Sequence, residues 1–326
     1  MAKTDSQANR DARSGLAIVL TMLAMVVIPA AITLRTIKSP GILLISDSNP
    51  TPYGYTWSLL LFAVPISVIA FWFLRDEKVQ IPRRSFWITI ALIAPMGCAL
   101  DFFFAWSFLT FKGAGATLGI KGPALGPDWT LISVPIEEYA FYVSGFLAVL
   151  LIYVWLDEYW LSEYNVPDYA GKAQKISRLV KFHPSSLIVG VVLIIIAVIY
   201  KKFFSSYREG FPGYFTVLVL GGLIPSVGLF ESAKRFINWR ALSLTMFFIL
   251  LVSLFWEVTL AVPYGWWGYQ KPQMLGFFIR GWADLPIEAV CVWIAVTYGT
   301  IIIYETVKLW QASRRSVLHS FLGIKN

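Results

Sequence analysis

Two adjacent glutamates, Glu137 and Glu138, open the apolar run VPIEEYAFYVSGFLAVLLIYVWL at residues 134–156, and three further acids, Asp101, Glu257 and Glu288, lie within or at the edge of other apolar runs. A carboxylate inside a membrane-spanning helix costs about 2.5–3.5 kcal/mol on insertion scales, so such residues are rare and usually face a protein interior. Carboxyls held close together in an apolar setting cannot all ionise. A neutral acid beside an ionised one is the equipment for putting a proton on a substrate and taking another off. The competing reading for Glu137 and Glu138 is structural. Pro135 reads as a first-turn proline, which would place both glutamates where a helix dipole favours negative charge. Neighbours on a helix point about 100° apart, so the two address different partners, one toward substrate and one toward Asp101 or a neighbouring helix.

Aromatic residues surround these acids. Phe102, Phe103, Phe104 and Trp106 follow Asp101, while Trp256, Tyr264, Trp266, Trp267 and Tyr269 bracket Glu257. Ring faces stabilise a carbocation of the kind that alkene protonation produces, by about 0.5–2 kcal/mol per desolvated contact. The same residues could instead form an interfacial belt.

The elements that must position these groups are membrane helices. The 326 residues are 57% hydrophobic and 14% charged, with a mean hydropathy of +0.66, which is the profile of a polytopic membrane protein. Apolar runs long enough to cross a roughly 30 Å hydrocarbon core fall near 15–34, 55–74, 86–110, 135–156, 186–204, 213–230, 241–263 and 285–306. The fifth is the weakest because it stops at Lys201 and Lys202. The first is too long for a signal peptide and has no small-residue cleavage site, so it reads as a retained helix. The expected fold is therefore an all-α transmembrane bundle of about eight spans. Of the 27 Lys and Arg residues, 18 fall in the termini and alternate loops on one side, so both termini are expected in the cytoplasm, with the start of VPIEEYAFY toward the outer face.

Several classes are excluded. The net charge of +8 is spread through connecting loops and reads as topology, with no nucleic-acid footprint. The two cysteines, Cys98 and Cys291, lie in apolar segments and suit neither a disulfide frame nor a metal site. Only His183 and His319 are present, both in polar segments, too few for a di-iron oxygenase or an intramembrane haem. No DDxxD-like cluster is present to hold Mg²⁺ against a diphosphate. GAGATLG at 113–119 lacks the GxGxxG order and reads as a loop, and no GxSxG, Walker or zinc motif appears elsewhere. No metal and no cofactor is expected.

The chain also repeats itself. VPIEEYAFY at 134–142 is echoed by LPIEAVCVW at 285–293, an offset of 151 residues. Each copy follows an apolar helix with one acid near its end, Asp101 or Glu257, and each of those helices follows a short basic loop. This divides the chain into two four-helix halves, 1–170 with the intact PIEE element and 171–326 with the degenerate PIEA element. An even number of spans per half makes the repeat parallel, so both sets of acids face one side.

PIEEYAF at 135–141, with Asp101 and Trp106 upstream, resembles the P-x-E-E-x-x-F signature of the integral-membrane lycopene cyclases, whose two small helical domains are carried on two subunits or fused in one chain. The second copy keeps Pro286 and Glu288 but has Ala289 and Val292 in place of the second acid and the Phe. The resemblance covers 85–160 and 240–307. It implies redox-neutral cyclisation of a lycopene-like end group: an acid protonates the terminal alkene, an internal double bond captures the cation to close a six-membered ring, and a base removes a proton. On this reading Glu137 or Glu138 is the acid, Asp101 its partner or base, and Glu288 and Glu257 the second-half counterparts. Phe104, Trp106, Phe141, Trp256, Tyr264 and Trp267 line the substrate. The expected setting is a bacterial inner membrane, with an apolar polyene and membrane lipid as partners, and a homo-oligomer or a complex with other carotenoid enzymes as the assembly.

Three rivals remain open. A carotenoid hydratase or membrane terpene cyclase would share the chemistry up to the cation. A proton-coupled transporter would use acids at a repeat interface as a relay. A non-catalytic scaffold would leave five membrane-embedded acids without a purpose.

Overall fold

The computed structural model describes residues 52–75, 81–111 and 114–324, together with isolated positions between 17 and 32. The first expected span, 15–34, lies outside the described residues except at those positions. The other seven expected spans are all helices long and apolar enough to cross a membrane. They are α1 (Gly54–Arg75), α2 (Arg83–Phe108), α3 (Ile136–Trp155), α4 (Pro184–Phe203), α5 (Gly213–Ala233), α6 (Trp239–Trp256) and α7 (Ile287–Ser313). Helix is the form that satisfies every backbone polar group within one segment in hydrocarbon. Two of them run on through a single π-helical turn, α3 to Trp160 and α6 to Ala261.

The weak span is a full helix. Lys201, near its end, is buried and donates from Nζ to the Met274 carbonyl at 2.6 Å, so the lysine pins α4 to the segment ahead of α7.

Helices α3 and α7 form the centre. α1 and α2 pack on α3, α5 and α6 pack on α7, α2 also reaches α7, α6 also reaches α3, and α4 lies outside against α5. Six short strands gather where α2 and α6 end and α3 and α7 begin: β1 (Leu109–Thr110), β2 (Lys121–Leu125), β3 (Leu131–Pro135), β4 (Gly268–Tyr269), β5 (Phe278–Ile279) and β6 (Leu285–Pro286). The antiparallel pairs are β1 with β4, β2 with β3 and β5 with β6. Pro135 and Pro286 each end a strand and stand as the cap immediately before a helix. The prolines therefore sit one position earlier than a first-turn placement, while Glu137, Glu138 and Glu288 do occupy first turns.

At the opposite end of α3 and α7 lies a buried charged knot. Lys308 Nζ is 3.0 Å from Asp157 and 2.7 Å from Glu158. Glu305 accepts from the hydroxyls of Tyr153 at 2.9 Å and Tyr169 at 3.0 Å.

Candidate active site

Each carboxyl is held by a different set of elements. Glu137 turns toward α1 and the loop before β2, where its Oε1 accepts from Thr56 Oγ1 at 2.6 Å and from the Leu118 amide at 2.7 Å. Its Oε2 is buried without a hydrogen-bond partner among the described residues. Residues 114–119 of the GAGATLG stretch form a short 3-10 turn and loop whose end folds over a carboxylate. Glu138 accepts from the Tyr55 hydroxyl at 2.6 Å. Tyr55 can reach it because α1 begins with Gly54, where a Cβ would stand only 2.7 Å from the Trp266 ring. Both glutamates therefore bond to a neighbouring helix, α1, through different residues, and Glu138 also lies within electrostatic reach of Asp101.

Glu257 sits at the π turn that follows α6, its Oε1 accepting from Trp293 Nε1 and its Oε2 from the Tyr269 hydroxyl, each at 3.0 Å. Glu288 accepts from the Leu275 amide at 2.5 Å and faces Lys201. It is thereby tied into the loop that α4 pins. Outside the spans, burial and the nearby Glu257 hold the Tyr269 phenol well above the usual tyrosine range. It therefore remains a donor to Glu257.

Asp101 is placed differently. It is 2% exposed, its Oδ2 is buried without a partner among the described residues, and it lines an apolar groove. The groove holds a cavity of about 120 Å³ and is partly open to the outside. Its walls are α2 (Met96, Gly97, Leu100, Phe104) and α5 (Val217, Leu218, Gly221, Pro225), and its floor is α7 with Tyr142 and Phe146 of α3. At one end Phe108 of α2 and Tyr214 of α5 close it by stacking, with ring centroids 5.0 Å apart. On α7 the lining runs from Val292 to Ile303, about 16 Å at 1.5 Å per residue. Asp101 and Glu138 lie within electrostatic reach of one another, and Glu138 also feels Glu137 and Glu257. Tyr142, which lines the groove, is within reach of Asp101, Glu138 and Glu257 together.

The expected aromatic lining divides. Phe104 lines the groove and stacks on Phe108 at 5.5 Å. Phe141, Trp256 and Trp267 instead pack behind the carboxyls. Phe141 stacks on Trp256 at 5.5 Å, and Trp256 and Trp267 lie 5.0 Å apart, with Tyr55 4.9 Å from Trp267. None of these three lines the groove. Trp106 is 49% exposed and lines neither the groove nor this cluster. Tyr264 lies at the margin, 37% exposed and stacked on Trp266 at 5.4 Å.

Sequence reasoning missed Tyr55, Thr56, Tyr142, Tyr214 and Trp293. Tyr142 carried a signal, since it follows Glu138 by four residues and so shares its helix face. Tyr55 and Tyr214 carried another, because each follows a glycine at the head of its helix.

No family model, no curated protein and no solved structure matches the chain.

Proposed function

We propose that the protein is a membrane cyclase for the end group of a lycopene-like linear polyene, acting without cofactor or metal. The observation that carries this reading is Asp101, a buried carboxyl with an unpartnered oxygen in the wall of an apolar groove, backed by a second carboxyl, Glu138. An apolar groove suits a hydrocarbon. A carboxyl in its wall meets an alkene with no competing hydrogen bond to break.

In the reaction, a carboxyl of the Asp101–Glu138 pair gives its proton to the terminal double bond. The cation that forms is attacked by an internal double bond, which closes the ring. A ring proton then returns to the carboxylate. One proton enters and one leaves, so product and substrate are isomers. Phe104 and Tyr142 offer ring faces in the groove to the passing cation, each worth about 0.5–2 kcal/mol. Tyr55 positions Glu138. Glu257 and Glu288, the second-half counterparts, hold rings and loop in place. The parallel repeat about the α3–α7 pair, the eighth span, the cytoplasmic termini and a bacterial inner membrane belong to this proposal.

A hydratase or a terpene cyclase shares every step up to the cation. A proton-coupled transporter is a second reading, favoured by the buried Lys308–Asp157–Glu305 knot at the far end of the two helices that carry the Glu137/Glu138 pair and Glu288.

The test is expression in a lycopene-accumulating cell with pigment chromatography. Cyclic product that disappears with Glu138→Gln and Asp101→Asn supports the reading. Unchanged lycopene with normal protein in the membrane rejects it, and proton flux in liposomes would then favour the transporter.

A further inference from the structure

The acids come in repeat-related sets, yet only one set faces open space. Helices α2, α5 and α7 wall the groove beside Asp101. Their counterparts are α6, α1 and α3, whose Trp256, Phe62 and Phe141 pack together beside Glu257. Three exchanges of residue size separate the two places. Eight residues beyond the glycines that open α5 and α1, Gly221 stands where the other copy has Phe62. At the 151-residue offset, Val292 stands against Phe141, and Tyr142 against Trp293.

On the Glu257 side these larger residues fill the volume. Phe62 meets Trp256 edge-on at 5.7 Å, Phe141 stacks on the same indole, and Trp293 donates to Glu257. On the Asp101 side, a Cβ built at Gly221 would meet nothing within 4 Å, and Asp101 Oδ2 has no partner among the described residues.

We propose, resting on the cyclase reading above, that the chain has a single end-group seat. It is the groove of α2, α5 and α7, entered sideways from the bilayer, with the Glu257 side permanently filled by its own rings. A polyene with two ends is then cyclised one end at a time, leaving the groove between rings. The occupant is an unsaturated hydrocarbon terminus. A saturated acyl chain would fit the walls but give the Asp101 carboxyl nothing to protonate.

The test uses the full chain in lipid nanodiscs, with lycopene as probe, read by quenching of tryptophan fluorescence and by product chromatography. Gly221→Phe should weaken lycopene binding and slow conversion at least tenfold. Val68→Phe, the same bulk added on the exposed face of α1, should change neither. Thermal unfolding of each variant checks the fold, and Gly221→Leu supplies a smaller plug should the phenylalanine variant fail to assemble. With excess lycopene, the one-ring product should appear free in the bilayer first and be displaced by fresh substrate. Wild-type binding that survives both plugs would overturn the single seat, as would absence of lycopene binding, or two-ring product with no free one-ring stage. Lycopene bound by the wild type, lost with Gly221→Phe, but never cyclised would leave the seat standing and reject the cyclisation chemistry instead.

Discussion

Lys308 of α7 donates to Asp157 of α3 across 3.0 Å, and the two residues are 151 positions apart in the chain. That is the spacing of the two Pro-Ile-Glu elements. One turn earlier Tyr153 meets Tyr304, again 151 apart, with ring centroids at 6.0 Å. The ends of α3 and α7 thus meet through two residue pairs at that same spacing.

Removing the cation from that contact should be costly. Lys308→Met leaves Asp157 and Glu305, both fully buried, without their counter-charge, and the expected loss is about 3–5 kcal/mol. Adding Asp157→Asn and Glu305→Gln should restore part of it. Unfolding in mild detergent measures both, and a Lys308→Met protein as stable as wild type would refute the account.

Asp101 and Glu288 should separate activity from stability. Asp101 Oδ2 has no partner to lose among the described residues, so Asp101→Asn should keep the melting temperature while cutting cyclic product about 10²–10⁴-fold, the usual span for a lost general acid–base group. Glu288 holds the Leu275 amide, so Glu288→Gln should cost about 1 kcal/mol and lower activity only in proportion to folded protein. The reverse pattern would move the chemistry to the other half.

Tyr55→Phe removes the 2.6 Å bond to Glu138. A hydrogen bond to a charged group is worth about 1.5–3 kcal/mol, so initial rates in membranes should fall roughly 10–100-fold. In a Glu138→Gln background the same change should add little, since the two residues act as one unit. Fully additive losses would show that Tyr55 works elsewhere.

Two adjacent glycines of α5 should respond oppositely to alanine. At Gly222 a Cβ would come 3.2 Å from the Ala295 backbone of α7, and the overpacking should cost about 1–3 kcal/mol. At Gly221 the space is open, and alanine should add about 0.5–1 kcal/mol of helix stability. Equal melting temperatures for the two variants would contradict the packing described for α5 and α7.

The helices were legible because hydrocarbon thickness fixes their length, and even the lysine-ended run at 186–204 became a helix once Lys201 found the Met274 carbonyl. The acids were legible as out of place in apolar runs. Their partners were not, since Leu118 lies 19 residues from Glu137 and Thr56 lies 81 away, distances that only tertiary folding closes. The groove was hidden for another reason. It is opened by a missing side chain, at Gly221, and an aromatic-rich reading attends to what is large. Trp256 and Trp267, expected to line the substrate, pack in a cluster behind the carboxyls and not on the groove. Lys308, Asp157 and Glu305 sit toward helix ends, where charges ordinarily reach water, so their burial left no mark on the pattern.

The segments that follow α2 and α6 join as β1 and β4, Leu109 opposite Tyr269 and Thr110 opposite Gly268. That seam is made of main-chain donors and acceptors, whose geometry does not depend on which side chains flank them. The side chains around the seam can therefore change without loosening the junction between these two segments. The ends of α2 and α6 are thereby held in one register whatever rings pack beside them.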